Sequence, residues 1–232
     1  MPRESVPVRR LLLLRHGQTT ANVAGALDTA VPGADLTELG RRQASAVPAA
    51  VAHEDVDAIH ASTLVRTQQT AEPLAAARGL EVRVLEGLQE IAAGDLEMLL
   101  DEASREAYAE GLRRWMLGDL DAALPGGESG HAFLARYIAA LRQATCAPGT
   151  GTVVVFSHGA AIRVAVSSLV GLPPAEAVDL SIANTGGALL ERSDDRWSLV
   201  QWTATPIGGA ELDDPSAADP TGDDVTDETQ GR

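Results

Sequence analysis

Lysine is absent from this 232-residue chain, and all 18 basic side chains are arginine. A nucleotide-binding loop with the usual phosphate lysine and Schiff-base catalysis on a lysine amine are both excluded. Any anion site must be built from arginine forks, histidine rings and backbone N–H groups. The single cysteine, Cys146, allows neither an intramolecular disulfide nor a Cys-based structural zinc site. Long apolar runs are missing too. Residues 11–14 fall far short of a secretory h-region, and no stretch approaches the ~20 residues that span a bilayer. Positive charge is outnumbered by 33 acids, for a net charge of −15, which disfavours nucleic acid and anionic membranes. These absences predict a cytoplasmic protein with neither nucleic-acid nor membrane partners.

Composition divides what is present. Residues 206–232 are mainly Asp, Thr, Gly and Pro, with eight acids against one arginine. Such a stretch buries too little apolar area to offset its ordering entropy, so it is expected to be an acidic disordered tail. Residues 1–205 suffice for one well-packed α/β domain. Short all-apolar runs at 11–14, 56–59, 82–85 and 153–156 alternate with helical stretches, as in βαβ units of a parallel sheet covered on both faces. One helix is expected to start at Thr37 as N-cap and to kink at Pro48. Others are expected at 64–78, 102–117, 128–145 and 160–170. Residues 187–191 and 197–202 read as an antiparallel hairpin.

Ligands of open α/β sheets bind beyond the carboxyl ends of the strands. Residues 11–14 run into Arg15-His16-Gly17-Gln18-Thr19, and 153–156 into Ser157-His158-Gly159 with Arg163 on the following helix. The strand at 56–59 leads through Ser62 to Arg66, near the first turn of a helix, and 82–85 leads to Glu90. Either histidine alone would be as much at home in a satisfied core. Together, one sheet edge collects two arginines, two histidines and a glutamate, a set suited to phosphoryl transfer. Arg15 and Arg66 can grip phosphate oxygens and neutralise transition-state charge. One imidazole can attack phosphorus while the other donates to the equatorial oxygens. Glu90 can protonate the departing alkoxide and later accept a proton from water, provided its surroundings raise its pKa. No metal or cofactor is required, and spacing alone does not say which histidine attacks.

These residues resemble the histidine phosphatase superfamily, the group that includes the cofactor-dependent phosphoglycerate mutases. The resemblance runs from about Arg10 to Trp202. It rests on Arg15-His16-Gly17 with Asn22, Leu36-Thr37-Glu38-Leu39-Gly40 with Gln43, and Ser62 with Arg66 and Thr70. Leu88-Gln89-Glu90-Ile91, Gly126-Gly127-Glu128-Ser129 and Ser157-His158-Gly159 complete it. It implies a three-layer αβα fold, a mainly parallel doubly wound sheet with a small helical lid insertion at about 92–127. It also implies His16 as the phosphorylated nucleophile, Glu90 as proton donor, and Arg15, Arg66 and His158 around the phosphate. Gln18, Thr19, Asn22 and Gly159 would approach the substrate.

Departures from the family pattern favour net hydrolysis of a small phosphorylated metabolite over mutase activity. Gln18 stands where mutases usually carry Glu, and Ile91-Ala92-Ala93-Gly94-Asp95-Leu96-Glu97-Met98 lacks their aromatic and basic run. Met98 occupies a position where glycine is frequent, and residues 28–35 replace a Gln-rich loop. A phosphoglycerate mutase remains the alternative, and a metallohydrolase using His16, His158 and Glu90 is disfavoured because Arg15 and Arg66 would crowd a dication. His53 and His131 are expected at the surface, His60 in a structural hydrogen bond, and Trp115, Trp197 and Trp202 in packing, with Trp115 alone carrying some claim on a lid. A homodimer is compatible with these features.

Overall fold

The computed structural model describes residues 9–146, 151–194, 196–217 and 219–225. Six strands form one sheet: β1 (Arg9–Arg15), β2 (Val56–Ala61), β3 (Val82–Val84), β4 (Thr152–Ser157), β5 (Gly187–Ser193) and β6 (Arg196–Thr203), in the order β3-β2-β4-β1-β5-β6. The first four in that order are mutually parallel, and β5 and β6 add an antiparallel hairpin at one edge. The helices are α1 (Thr20–Ala24), α2 (Glu38–Ala50), α3 (Val65–Arg78), α4 (Glu102–Met116), α5 (Gly130–Thr145), α6 (Gly159–Val170) and α7 (Pro174–Val178). The expected strands and long helices are present within a few residues of their ends. The short α1 and α7, too brief for a periodic signal, were not foreseen.

Successive side chains of a strand face opposite ways. Leu11, Leu13, Val153 and Val155 enter one apolar cluster with Tyr108, Phe133, Tyr137 and Ile162 of α4, α5 and α6. Leu12, Leu14, Val154 and Phe156 enter the other with Val47 and Leu74 of α2 and α3. The central strands are apolar throughout because both faces are covered.

Thr37 caps α2, accepting a hydrogen bond from Gly40 N–H at 3.0 Å, and its own N–H donates to Gln18 O at 2.8 Å. The Gln18 N–H donates to Gln43 Oε1 at 2.7 Å. This contact is close because glycine stands on both sides: a Cβ on Gly40 would lie 2.1 Å from Gln18 O, and one on Gly17 2.6 Å from Gly40 O. The first turn of α2 thus clamps the loop after β1.

Within the insertion at 92–127, α4 buries Tyr108, Leu112, Trp115 and Met116 in the core, and Trp115 Nε1–H donates to Ala122 O at 2.8 Å. One expectation needs correction. Residues 206–217 and 219–225 are packed on the domain, contrary to the expected disordered tail: Ile207 joins the α2–α3 cluster and Val225 is 1% exposed in the other. Composition misled because one of the tail's acids, Asp219, pairs with the buried Arg15. The rest of the tail, 226–232, lies outside the described residues.

Gly40→Ala is expected to cost about 1–3 kcal/mol through overpacking. Urea unfolding checks this, and an unchanged midpoint would contradict the clamp.

Candidate active site

The carboxyl ends of β1 and β4 carry the two histidines side by side. Arg15 ends β1, and the His16 N–H donates to Ser157 O at 3.0 Å across the sheet. His158 follows β4 as the N-cap residue of α6. The imidazole centroids lie 5.3 Å apart with the planes at 60°. The His16 carbonyl is held by Thr185 N–H at 3.2 Å and Asn184 Nδ2 at 3.1 Å. Gly17 N–H donates to Thr70 Oγ1 at 2.9 Å, and that hydroxyl donates to Arg66 O at 2.6 Å. One threonine therefore ties the histidine loop to the helix that delivers Arg66.

Hydrogen bonding fixes the tautomer of His16. Its Nδ1 lies 2.8 Å from Gly17 O, a carbonyl that can only accept, so Nδ1 bears the hydrogen and Nε2 keeps the lone pair. Burial, then the positive charges of Arg66 and Arg15, hold its pKa well below the ordinary imidazole value. His158 is depressed likewise, by burial first and then by Arg66, His16 and Arg15. Its Nε2 is hydrogen-bonded to Ser62 Oγ at 2.7 Å. Both rings are neutral near pH 7.

The guanidiniums are buried beside them. Arg66 donates to Asp28 O at 2.8 Å and to Asp28 Oδ2 at 3.3 Å. Its pKa is lowered by burial, against the opposing charge of Asp28. Arg15 donates to Ile182 O at 2.7 Å and pairs with Asp219 at 2.5 and 2.6 Å. Burial works to lower its pKa, but the Asp219 charge and hydrogen bond hold it above the ordinary value. Arg15 Nε, Arg66 Nε and His158 Nδ1 are buried and have no hydrogen-bond partner among the described residues. They are hydrogen-bonding capacity that the fold leaves for another molecule.

Glu90 sits at the start of α6, where its carboxylate accepts from Ala161 N–H at 2.8 Å, Ala160 N–H at 3.2 Å and Ile91 N–H at 2.9 Å. Burial raises its pKa, and these donors and the two arginines only partly offset it. Its backbone is gripped by Arg136, which donates to Glu90 O at 2.8 Å, Gln89 O at 2.9 Å and Gly87 O at 3.0 Å. Glu128 holds Arg136 in turn at 2.5 and 2.9 Å.

The other expected substrate contacts divide. Asn22 turns its Nδ2 to Asp219 Oδ1 at 3.2 Å, while its Oδ1 accepts from Thr19 N–H in a capping box for α1. Thr19 therefore positions Asn22. The Gln18 side chain is engaged on both sides, accepting from Thr37 Oγ1 at 2.8 Å and donating to Asp214 Oδ2 at 2.8 Å. A Cβ on Gly159 would lie 3.0 Å from Arg15 Nε, so glycine admits the guanidinium there. Met98 has φ 60°, the left-handed conformation that explains why glycine suits its place. His53 and His131 are exposed, near Glu54 and Asp121, and His60 is buried in β2.

Sequence reasoning missed Asp28, Arg136, Asn184 and Asp219. Only Asn184, in an Asn-Thr-Gly-Gly turn before β5, carried a local signal. The cavity left between His16, Asn22, Asp28, Arg66 and Thr221 is about 10 Å³, room for about one water.

Paired buried guanidiniums and paired neutral imidazoles at the carboxyl edge of an αβα sheet define a protein that handles phosphoryl groups. Residues 11–205 match the histidine phosphatase superfamily (branch 1), and the chain belongs to that family, as a phosphoric monoester hydrolase. It is 36% identical over 216 residues to a PE-PGRS family protein of Mycobacterium tuberculosis, matching 86% of this chain but only 37% of that protein's length. It is 30% identical over 208 residues to a probable phosphoglycerate mutase of Yersinia enterocolitica, covering 89% of this chain and 96% of the relative. Among solved structures, a mycobacterial glucosyl-3-phosphoglycerate phosphatase superposes with a TM-score of 0.71 at 32% identity, over 85% of this chain and all of the other.

Replacing Arg136 by Met is expected to loosen Glu90 and lower kcat for an alkyl phosphate about ten- to a hundredfold, with KM little changed. Steady-state kinetics check this, and unaltered kcat would show that the clasp does not position the carboxylate.

Proposed function

We propose that this enzyme hydrolyses small phosphomonoesters through a covalent phosphohistidine at His16 Nε2, with neither metal nor cofactor. The observation that carries this reading is the His16 Nδ1 contact with Gly17 O, which leaves a neutral Nε2 lone pair on a ring beside His158 and within the fields of two guanidiniums. In the first step Nε2 attacks phosphorus and the ester P–O bond breaks. Arg15, Arg66 and His158 hold the non-bridging oxygens, and protonated Glu90 gives its proton to the departing alkoxide. In the second step Glu90 takes a proton from water, which attacks phosphorus and breaks the P–N bond, releasing phosphate.

Hydrolysis is favoured over phosphate return to a second hydroxyl because residues 91–98 contain no basic side chain. A metal site on His16, His158 and Glu90 fits poorly, since three backbone N–H groups take the carboxylate oxygens and Arg15 and Arg66 stand alongside.

His16→Ala should abolish turnover and the acid-labile phosphate that rapid quenching and mass spectrometry find on the native enzyme. Retained labelling in His16→Ala would refute the assignment. The working form needs neutral His16 and protonated Glu90. Activity on alkyl esters should therefore fall on the acid side only below the ordinary imidazole range, as His16 gains its proton. It should fall on the alkaline side above the ordinary glutamate range, as Glu90 loses one. Glu90→Gln should remove that alkaline limb and slow alkyl phosphates far more than aryl phosphates, whose leaving groups need no proton. Equal slowing of both classes would rule out Glu90 as the acid.

A further inference from the structure

We propose that Asp219 is a tethered competitor for the substrate's phosphoryl group, so that residues 214–217 and 219–225 close the resting site and yield only to a dianionic phosphomonoester. The proposal rests on the reading of Arg15 as a phosphate ligand. The Asp219 carboxylate takes both terminal nitrogens of Arg15 and the amide of Asn22, a residue that lines the pocket. Thr221 Oγ1 accepts from Arg15 Nη2 at 2.9 Å. A Cβ on Gly222 would lie 2.1 Å from Arg15 Nη1, so the segment lies directly against the guanidinium.

The segment is pinned at both ends. On one side Leu212 O accepts from Gln43 Nε2 at 2.8 Å, and Asp214 accepts from Gln18. On the other, Gly222 O accepts from Ile182 N–H at 2.8 Å, the Val225 N–H donates to Val178 O at 3.1 Å, and the Val225 side chain is buried. Pinning keeps Asp219 at high effective concentration near Arg15 even when its carboxylate swings away.

What displaces it follows from charge and donor count. A carboxylate offers one charge and two oxygens. A phosphomonoester dianion offers two charges and three non-bridging oxygens, enough to use Arg15 Nε, Arg66 Nε and His158 Nδ1 as well. Sulfate esters, phosphodiesters and carboxylates carry a single charge and compete poorly. The strap thereby raises the affinity that any ligand needs to occupy the site, and a dianion meets that threshold where a monoanion does not.

The test compares full-length enzyme with Asp219→Asn and Asp219→Ala, and with Asp213→Ala, whose carboxylate accepts from the neighbouring Asp214 N–H. Inorganic phosphate binding is measured by calorimetry, and KM is measured with a small alkyl phosphate. If the strap is closed about nine-tenths of the time, both Asp219 variants should bind phosphate about tenfold more tightly and lower KM alike. Asp213→Ala should match the native enzyme. An aryl sulfate should gain at least as much affinity as phosphate. The isosteric Asn variant guards against misfolding, which thermal unfolding would reveal in the Ala variant. Phosphate affinity that stays level or weakens in both Asp219 variants overturns the proposal. Tighter phosphate binding without hydrolysis keeps the strap and removes the hydrolase reading, whereas hydrolysis through His16 with unmoved phosphate affinity removes the strap alone.

Discussion

Arg15 and Arg66 lie buried beside two imidazoles, and that concentration of potential positive charge in low dielectric organises the surrounding structure. Like charges without partners there would be costly, so the rings stay neutral and carboxylates converge on the guanidiniums. Asp28 faces Arg66, Asp219 faces Arg15, and Glu90 lies within reach of both fields. The depressed histidines and the raised carboxyl follow from one cause, burial, acting on groups of opposite charge type. Burial thus favours the neutral form of the imidazoles and of the Glu90 carboxyl alike.

Rigidity comes from neighbours that never touch the pocket. Thr70 joins Gly17 to Arg66, Ser62 holds His158, Gln43 and Thr37 hold Gln18, and Arg136 with Glu128 holds the Glu90 loop. Such supports keep charged side chains in one geometry, so that little reorganisation is needed when charge develops on a phosphoryl oxygen.

Much of this was legible before any coordinates. Leu11 to Leu14 and Val153 to Phe156 are apolar on both faces, which marks buried parallel strands, and such strands put reactive residues at their carboxyl ends. Arg15, His16, Arg66, Glu90 and His158 could be read in that way. Arg136 could not, because its partner Glu90 lies 46 residues away in the chain and no local pattern links them. The tail is the instructive error. An acid-rich, apolar-poor segment stays disordered unless something specific offsets the entropy of ordering it, and here the pairing of Asp219 with buried Arg15 contributes. Arg163, fully buried with its pKa lowered to about 10 by burial, also faces tail acids Asp223 and Asp224. Net charge showed how many acids there were but not that cations buried inside the domain awaited them.

The central claim is that two guanidiniums and two imidazoles enclose one tetrahedral anion, with His16 Nε2 in line for attack. The most direct measurement is a crystal structure with vanadate. The account predicts vanadium bonded to His16 Nε2, its oxygens on Arg15, Arg66 and His158, and the Asp219 carboxylate moved off Arg15. Vanadate bound elsewhere, or bonded to His158 with His16 turned away, would contradict it.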